Sequence, residues 1–328
     1  MGFLSYFKIF KNAWFFMSDL HLVIQKRLKQ LDKKFTRDKI NSCLVYYKDT
    51  LVYVYYRNKK LKEKVHKVNS VTKSVMSILI GIAIDKGYIN GVSQSISDFF
   101  PNMEESKRRI TIEHLLTMTP GLDWPEFSTW GGRPMPMINS KDWVKFISER
   151  KMIEEPGENM YYNSGASHLL SAILQKATGQ KATEFAENYL FHPLGIKEYD
   201  WYSDSKGIVI GGFGLSLKAE DMLKIGKFML QGGYWENKAI LSKSWIETST
   251  SPKIATNYKF GFYGYHWWVL ENENKKQHTF YAMGYGGQYI IIAPEYELIT
   301  VFTSDNYADA IHPLTYFKSE ILQAVRGE

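Results

Sequence analysis

The chain has one cysteine in 328 residues, Cys43, so no disulfide can form within it. A catalytic thiol would need a neighbour that promotes the thiolate, and Cys43-Leu44-Val45-Tyr46-Tyr47 offers none; the stretch alternates like a strand, with Cys43 in the core. Long apolar runs are lacking as well. Lys8, Lys11 and Asp19 break the first segment, where a secretory leader would need about 7–15 uninterrupted apolar residues, and no stretch is long enough to span a membrane. The expected location is the cytoplasm, at the inner membrane surface if the first segment meets lipid. Runs of Lys and Arg interleaved with base-stacking aromatics are absent, so the net charge of +7 raises no expectation of nucleic-acid binding. Neither an internal repeat nor a low-complexity tract occurs.

What is present is enough hydrophobic material for a sizeable core: 45% hydrophobic residues and 15% aromatic ones. Phe3, Phe7, Phe10, Trp14 and Met17 recur at helical spacing, with Lys8, Lys11, Lys26, Arg27, Lys29, Lys33 and Lys34 nearby. Residues 1–36 therefore read as a basic amphipathic segment, either docked on its own domain or making peripheral membrane contact. Residues 37–328 form the main domain, with a sheet part over about 37–89 and 251–328 and a mainly helical part over about 90–250.

In the sheet part, Ser42–Lys48 and Leu51–Arg57 flank Lys48-Asp49-Thr50 as a hairpin. Further strand-like runs lie at Tyr265–Leu270, Gln277–Met283, Gln288–Ala293 and Leu298–Thr303, before a last helix from about Ala310 to Val325. From Val71 to Ile84 the apolar residues follow helical spacing and the other faces are small or apolar, so this helix is expected inside the protein, ending near Gly87. The helical part is punctuated by Pro120-Gly121, Pro156-Gly157 and Gly211-Gly212 and contains an apolar helix at Ser167–Ala177.

Three groups of residues could carry chemistry. Ser70 and Lys73 lie three apart at the start of the buried helix, on one face and within mutual reach. The helix N-terminus favours an oxyanion on Ser70 and disfavours a proton on Lys73, and burial lowers the lysine pKa further. The same spacing at Ser5/Lys8, Ser148/Lys151 and Ser203/Lys206 falls in charged or broken segments; at Ser70 the competing reading is an N-cap serine beside a solvated lysine. Second, Tyr161-Tyr162-Asn163 precedes an apolar helix, where a tyrosine can relay a proton, although Tyr56-Arg57-Asn58 and Tyr88-Ile89-Asn90 share the pattern. Third, Gly284-Tyr285-Gly286-Gly287-Gln288 lies between two strands. There a backbone N–H could complete an oxyanion hole with that of Ser70, or the glycines could simply make a hairpin turn.

Taken in this order, these features resemble the serine β-lactamase and penicillin-binding-protein family, and most closely its class C-like branch of esterases and 6-aminohexanoate-oligomer hydrolases. The resemblance runs from about Ile40 to the C-terminus. It passes through Ser70-Val71-Thr72-Lys73-Ser74, Ile112-Glu113-His114-Leu115-Leu116-Thr117-Met118-Thr119, Tyr161-Tyr162-Asn163, Gly212-Phe213-Gly214-Leu215-Ser216 and Gly284–Gln288 with Pro294 beyond. It implies an α/β (α+β) fold of β-lactamase/transpeptidase type: an antiparallel sheet flanked by helices, with a mainly helical subdomain and the active site between.

The resemblance also implies roles. Ser70 would be acylated, Lys73 and Tyr161 would move its proton as general base and acid, and Asn163 would hold Lys73 and a substrate amide. Gly284 and Gln288 would line the substrate edge, Tyr285 would supply the second oxyanion N–H, and neither metal nor organic cofactor is implied. Penicillin-recognising members carry a basic residue two before the glycine, where this chain has Ala282-Met283-Gly284; His278-Thr279 has the right flavour without the glycine. The expected substrate is therefore a small-molecule ester or amide without that carboxylate, unless Arg133, Lys151 or His266 enters the cleft. The alternatives are a D-amino-acid peptidase or weak β-lactamase, and a non-catalytic binding protein on the same fold. The aromatic stretch Tyr263–Trp268 lines an acyl pocket or is core.

Overall fold

The structure is a computed structural model that describes residues 20–256, 260–270 and 278–327. Strands β1 (Ile40–Tyr47) and β2 (Thr50–Tyr56) form the expected hairpin. Its turn is the pair Lys48 and Asp49, both at positive φ (43° and 59°), as a tight two-residue hairpin requires. Two small strands, β3 (His66–Lys67) before the buried helix and β4 (Tyr199–Trp201) in the helical part, pair on either side of β5 (Leu215–Leu217), and β6 (Tyr234–Trp235) pairs β7 (Lys238–Ala239). The chain then returns to the large sheet with β8 (Ile254–Ala255), β9 (Phe262–Tyr263), β10 (Trp268–Leu270), β11 (Thr279–Gly284), β12 (Gln288–Ala293) and β13 (Leu298–Ser304).

The large sheet is antiparallel throughout, in the order β2-β1-β13-β12-β11-β10-β9-β8, so the first hairpin joins the last strands through β1 and β13. All eight positions of β1 are buried, as are all of β12 and β13. Alternation sorts them into two cores. Leu44, Ile290, Ile292, Ile299 and Val301 pack with Val75, Ile78 and Leu79. Cys43, Val45, Tyr289, Ile291 and Phe302 pack with Ile24, Leu28, Phe35, Leu314, Phe317 and Ile321. Helices thus cover both faces, which is why these strands read as continuous apolar runs. Cys43 lies in the second core, and burial pushes its thiol pKa well above the usual value, which disfavours the thiolate.

Helical residues 20–29 and the helix Asp32–Arg37 dock on this sheet, with the Phe35 ring edge-on to Tyr55, Phe302 and Tyr316. The aromatic positions Phe3 to Met17 lie outside the described residues. No helix among the described residues is long and apolar enough to cross a membrane.

The helix Val71–Asp85 is buried from Val71 to Ala83, packs on the helix Ser164–Thr178 and the sheet, and exits through Gly87 at φ 75°. Three local expectations shift. Strand β10 starts at Trp268 rather than Tyr265, because His266 takes a left-handed φ of 60° and turns the backbone toward Leu116. The helix expected from Ser167 starts at Ser164, capped by the Asn163 side chain. The last helix begins at His312, with Pro313 in its first turn.

Phe35→Ala is expected to cost about 3–5 kcal/mol by leaving a cavity among three aromatic rings. Thermal unfolding should report a fall on the order of 10 °C; a parent-like melting curve would mean that the first helices contribute nothing to the fold.

Candidate active site

Ser70 begins the buried helix at the end of a segment held on three sides. Strand β3 feeds it, and the next N–H, Val68, bonds to Leu215 O at 3.0 Å. Gly284, at the end of β11, packs so closely that a Cβ there would lie 2.1 Å from Val68 O, so only glycine allows this approach. Asn69 takes a φ of 49°, a left-handed position that asparagine tolerates, and its Nδ2 donates to Tyr285 O at 2.6 Å. The nucleophile loop and the β11–β12 turn are thereby joined one residue from Ser70.

The Ser70 hydroxyl makes no capping bond to its helix, which removes the N-cap reading; it accepts from Lys73 Nζ at 3.2 Å. Lys73 is buried and donates also to Ser164 Oγ (3.1 Å) and Gly212 O (2.7 Å). Three acceptors match the three N–H bonds of an ammonium. Gly211-Gly212 delivers its carbonyl by lying against the start of the helix Ser164–Thr178, where a Cβ on Gly211 would meet Ser167 O at 2.1 Å. Burial lowers the Lys73 pKa to about 8, with the Glu126 charge acting in the opposite direction. A neutral Lys73 has one lone pair, and the Ser70 proton is within its reach.

Two partners here were not foreseen. Ser164 follows the Tyr161-Tyr162-Asn163 group directly and takes the contact expected of Asn163. Glu126, 3% exposed, accepts from the Ser164 hydroxyl at Oε1 (2.7 Å) and from Ser164 N–H and Trp124 Nε1 at Oε2 (both 2.7 Å). A carboxylate here also faces the positive end of the helix Ser164–Thr178. Nothing local in Trp124-Pro125-Glu126-Phe127 marks the acid as one that will be buried against a helix 38 residues on.

The remaining expected residues divide. Tyr161 is 39% exposed and anchored by its N–H to Met118 O (3.0 Å), whereas the ring centroid of its buried neighbour Tyr162 lies 4.7 Å from Lys73 Nζ. Asn163 Oδ1 accepts from Ala166 N–H, and its buried Nδ2 has no hydrogen-bond partner. Gln288 is turned inward: its amide bonds Ser304 O and Ser304 N–H, which holds β12 to β13 rather than facing a substrate.

Of the three candidate cations, His266 is buried against Ser167 Oγ (3.0 Å). Burial, with the Lys73 charge adding to it, lowers its pKa to about 3, so it is neutral. Lys151 is on the surface. Arg133 is exposed; Tyr307, which packs on Tyr285, has its phenol pKa raised by burial and by the Asp305 charge, against which the Arg133 charge acts only in part. Tyr263, Tyr265, Trp267 and Trp268 are all buried, as core residues; Trp268 stacks on Tyr162 at 6.1 Å, and Tyr263 lies near enough to feel the Tyr162 and Glu126 charges. Among the described residues no group of three or more His, Cys, Asp or Glu is placed to hold a metal ion.

Comparison with known proteins gives the family and the fold. A family model described as Beta-lactamase matches residues 43–311. A 6-aminohexanoate-dimer hydrolase from Paenarthrobacter ureafaciens is 22% identical over 84% of this chain and 75% of its own length. The structure is similar to a putative 6-aminohexanoate-dimer hydrolase from Bacillus anthracis (TM-score 0.77, 20% identity, 90% of this chain and 81% of that one). It is also similar to EstCE1, a hydrolase with promiscuous acyltransferase activity (TM-score 0.76, 17% identity, 93% and 99%).

A base that must be neutral gives a rate that rises with pH through its pKa. Release of p-nitrophenol from p-nitrophenyl acetate should therefore rise with a midpoint near pH 8. Lys73→Met should lower it by roughly 10²–10⁴-fold, the usual range for a positioned acid–base group. A flat profile in the parent, or an unimpaired Lys73→Met, would exclude Lys73 as the base.

Proposed function

The chain belongs to the β-lactamase family, and from that premise we propose that it hydrolyses esters or small amides through an acyl-enzyme on Ser70. The observation that carries this reading is the Ser70–Lys73 pair, a free hydroxyl 3.2 Å from a buried amine whose pKa is near 8. Ser70 Oγ attacks the substrate carbonyl carbon while Lys73 Nζ takes the hydroxyl proton. The carbonyl π electrons move to oxygen, where the backbone N–H groups of Ser70 and Tyr285 stabilise the oxyanion. Collapse breaks the bond to the alcohol or amine, which leaves with the proton. Water then attacks the acyl carbonyl, giving its proton to the same base and releasing the acid and Ser70.

The family resemblance assigns the return of the proton to Tyr161 acting with Lys73. Asn163 Nδ2, buried and unpartnered, suits a substrate amide carbonyl. The preference for uncharged acyl groups rests on Ala282, which is buried on β11 where penicillin-recognising members carry a cation. The named relatives, a 6-aminohexanoate-dimer hydrolase and a hydrolase with acyltransferase activity, support the ester or amide class. A second reading, a D-amino-acid peptidase or weak β-lactamase, needs a cation for the substrate carboxylate, and the exposed Arg133 is the candidate.

Turnover of p-nitrophenyl butyrate and of a short neutral anilide should exceed that of a chromogenic cephalosporin or a D-alanyl peptide, and Ser70→Ala should reduce all of them to background. Preference for the carboxylate-bearing substrates, lost in Arg133→Ala, would favour the second reading. Parent activity at the Ser70→Ala level on every substrate would leave a binding protein.

A further inference from the structure

The buried carboxylate behind Lys73 is part of neither the nucleophile nor the expected proton path, yet its bonds determine how the lysine is held. Ser164 Oγ carries one hydrogen and lies 2.7 Å from Glu126 Oε1. An ionised carboxylate only accepts, so that hydrogen points at Glu126 and Ser164 offers Lys73 Nζ a lone pair at 3.1 Å. One Lys73 N–H is thereby aimed at Ser164 and another at Gly212 O, which leaves the third tetrahedral position, and the lone pair of the neutral amine, facing Ser70.

Oε2 is fixed as firmly, by Ser164 N–H and Trp124 Nε1. Three donors converge on two oxygens, an arrangement that a carboxylate satisfies and an amide does not.

Resting on the reading of Lys73 as the base for Ser70, we propose that Glu126 is a positioning residue: through Ser164 it orients the Lys73 amine, and its charge steadies the ammonium that forms when Ser70 loses its proton.

The other titratable groups around the pair do not supply that charge. His266 is neutral. Tyr263 is kept protonated by burial, and Tyr162 presents its ring to Lys73. One turn along the helix, His168 is paired with Asp204 and buried against Trp143. Tyr161 is at the exposed side.

The test is the rate at which a fluorophosphonate probe labels Ser70 across pH, read by intact-protein mass spectrometry, in the parent, Glu126→Gln, Glu126→Asp and Ser164→Ala. Removing the anion favours the neutral amine, so the rising limb in Glu126→Gln should move from near pH 8 toward acid by about one unit. Its plateau should fall on the order of ten- to a hundred-fold from lost orientation. Glu126→Asp, which keeps the charge, should hold its limb near the parent position. A Glu126→Gln limb at the parent pH, with rates lowered equally throughout, would reduce Glu126 to a structural role and overturn the proposal. Should Glu126→Gln not melt cooperatively, Ser164→Ala decides: a lowered plateau with an acid-shifted limb supports the link, and a parent-like profile overturns it. Absence of labelling in folded parent protein at every pH would instead remove the hydrolase reading on which the proposal rests.

Discussion

The amine of Lys73 is out of water, and the site is arranged around that constraint. Burying an ammonium costs several kcal/mol unless every N–H finds an acceptor, and even then the neutral form gains ground. Here Ser70, Ser164 and Gly212 provide the three acceptors, and the pKa nonetheless falls to about 8. The same desolvation that makes the charge costly makes the amine a usable base near neutrality, where a solvated lysine would stay protonated. Each neighbour can be understood by what it contributes to this balance: Gly211-Gly212 by bringing in a carbonyl, Tyr162 by laying an aromatic face against the amine, Glu126 by a negative charge at one remove.

The fold supplies the rigidity that this balance requires. Helical layers on both faces of the sheet bury β12 and β13 completely, and the Ser70 helix runs through one of the two resulting cores. At the edge of that core, Gly284 admits Val68 O into contact with β11, while Asn69 ties the same loop to Tyr285. Met118, at a left-handed φ of 63°, accepts from Tyr161 N–H and places its sulfur against Asn163 N–H. The motifs are distant in sequence, but each is anchored by backbone contacts to another, so the site is a property of the packed molecule.

That explains what was legible beforehand and what was not. Ser70 and Lys73 share one helix, so their three-residue spacing carries geometric meaning, and the apolar pattern of Val71–Ile84 already implied burial. The long strands were readable for the same reason: buried on both faces, they leave continuous apolar runs. Glu126 and Ser164 act across 38 residues of chain, and no local pattern announces a carboxylate that will be buried against a helix N-terminus. Small sheets such as β3-β5-β4 are too short to show periodicity, although β5 positions the Ser70 loop. Asn163 and Gln288 were assigned by motif position; the first is spent on the helix cap at one end, and the second is bonded to β13.

The central claim is that Lys73 titrates near neutrality because it is buried among three acceptors. The most direct measurement follows the Cε–H NMR resonances of a chain carrying labelled lysine across pH, with Lys73 assigned by its loss in Lys73→Met. The account predicts a midpoint near 8 for that residue. A midpoint at the ordinary lysine value of about 10.4 would contradict it.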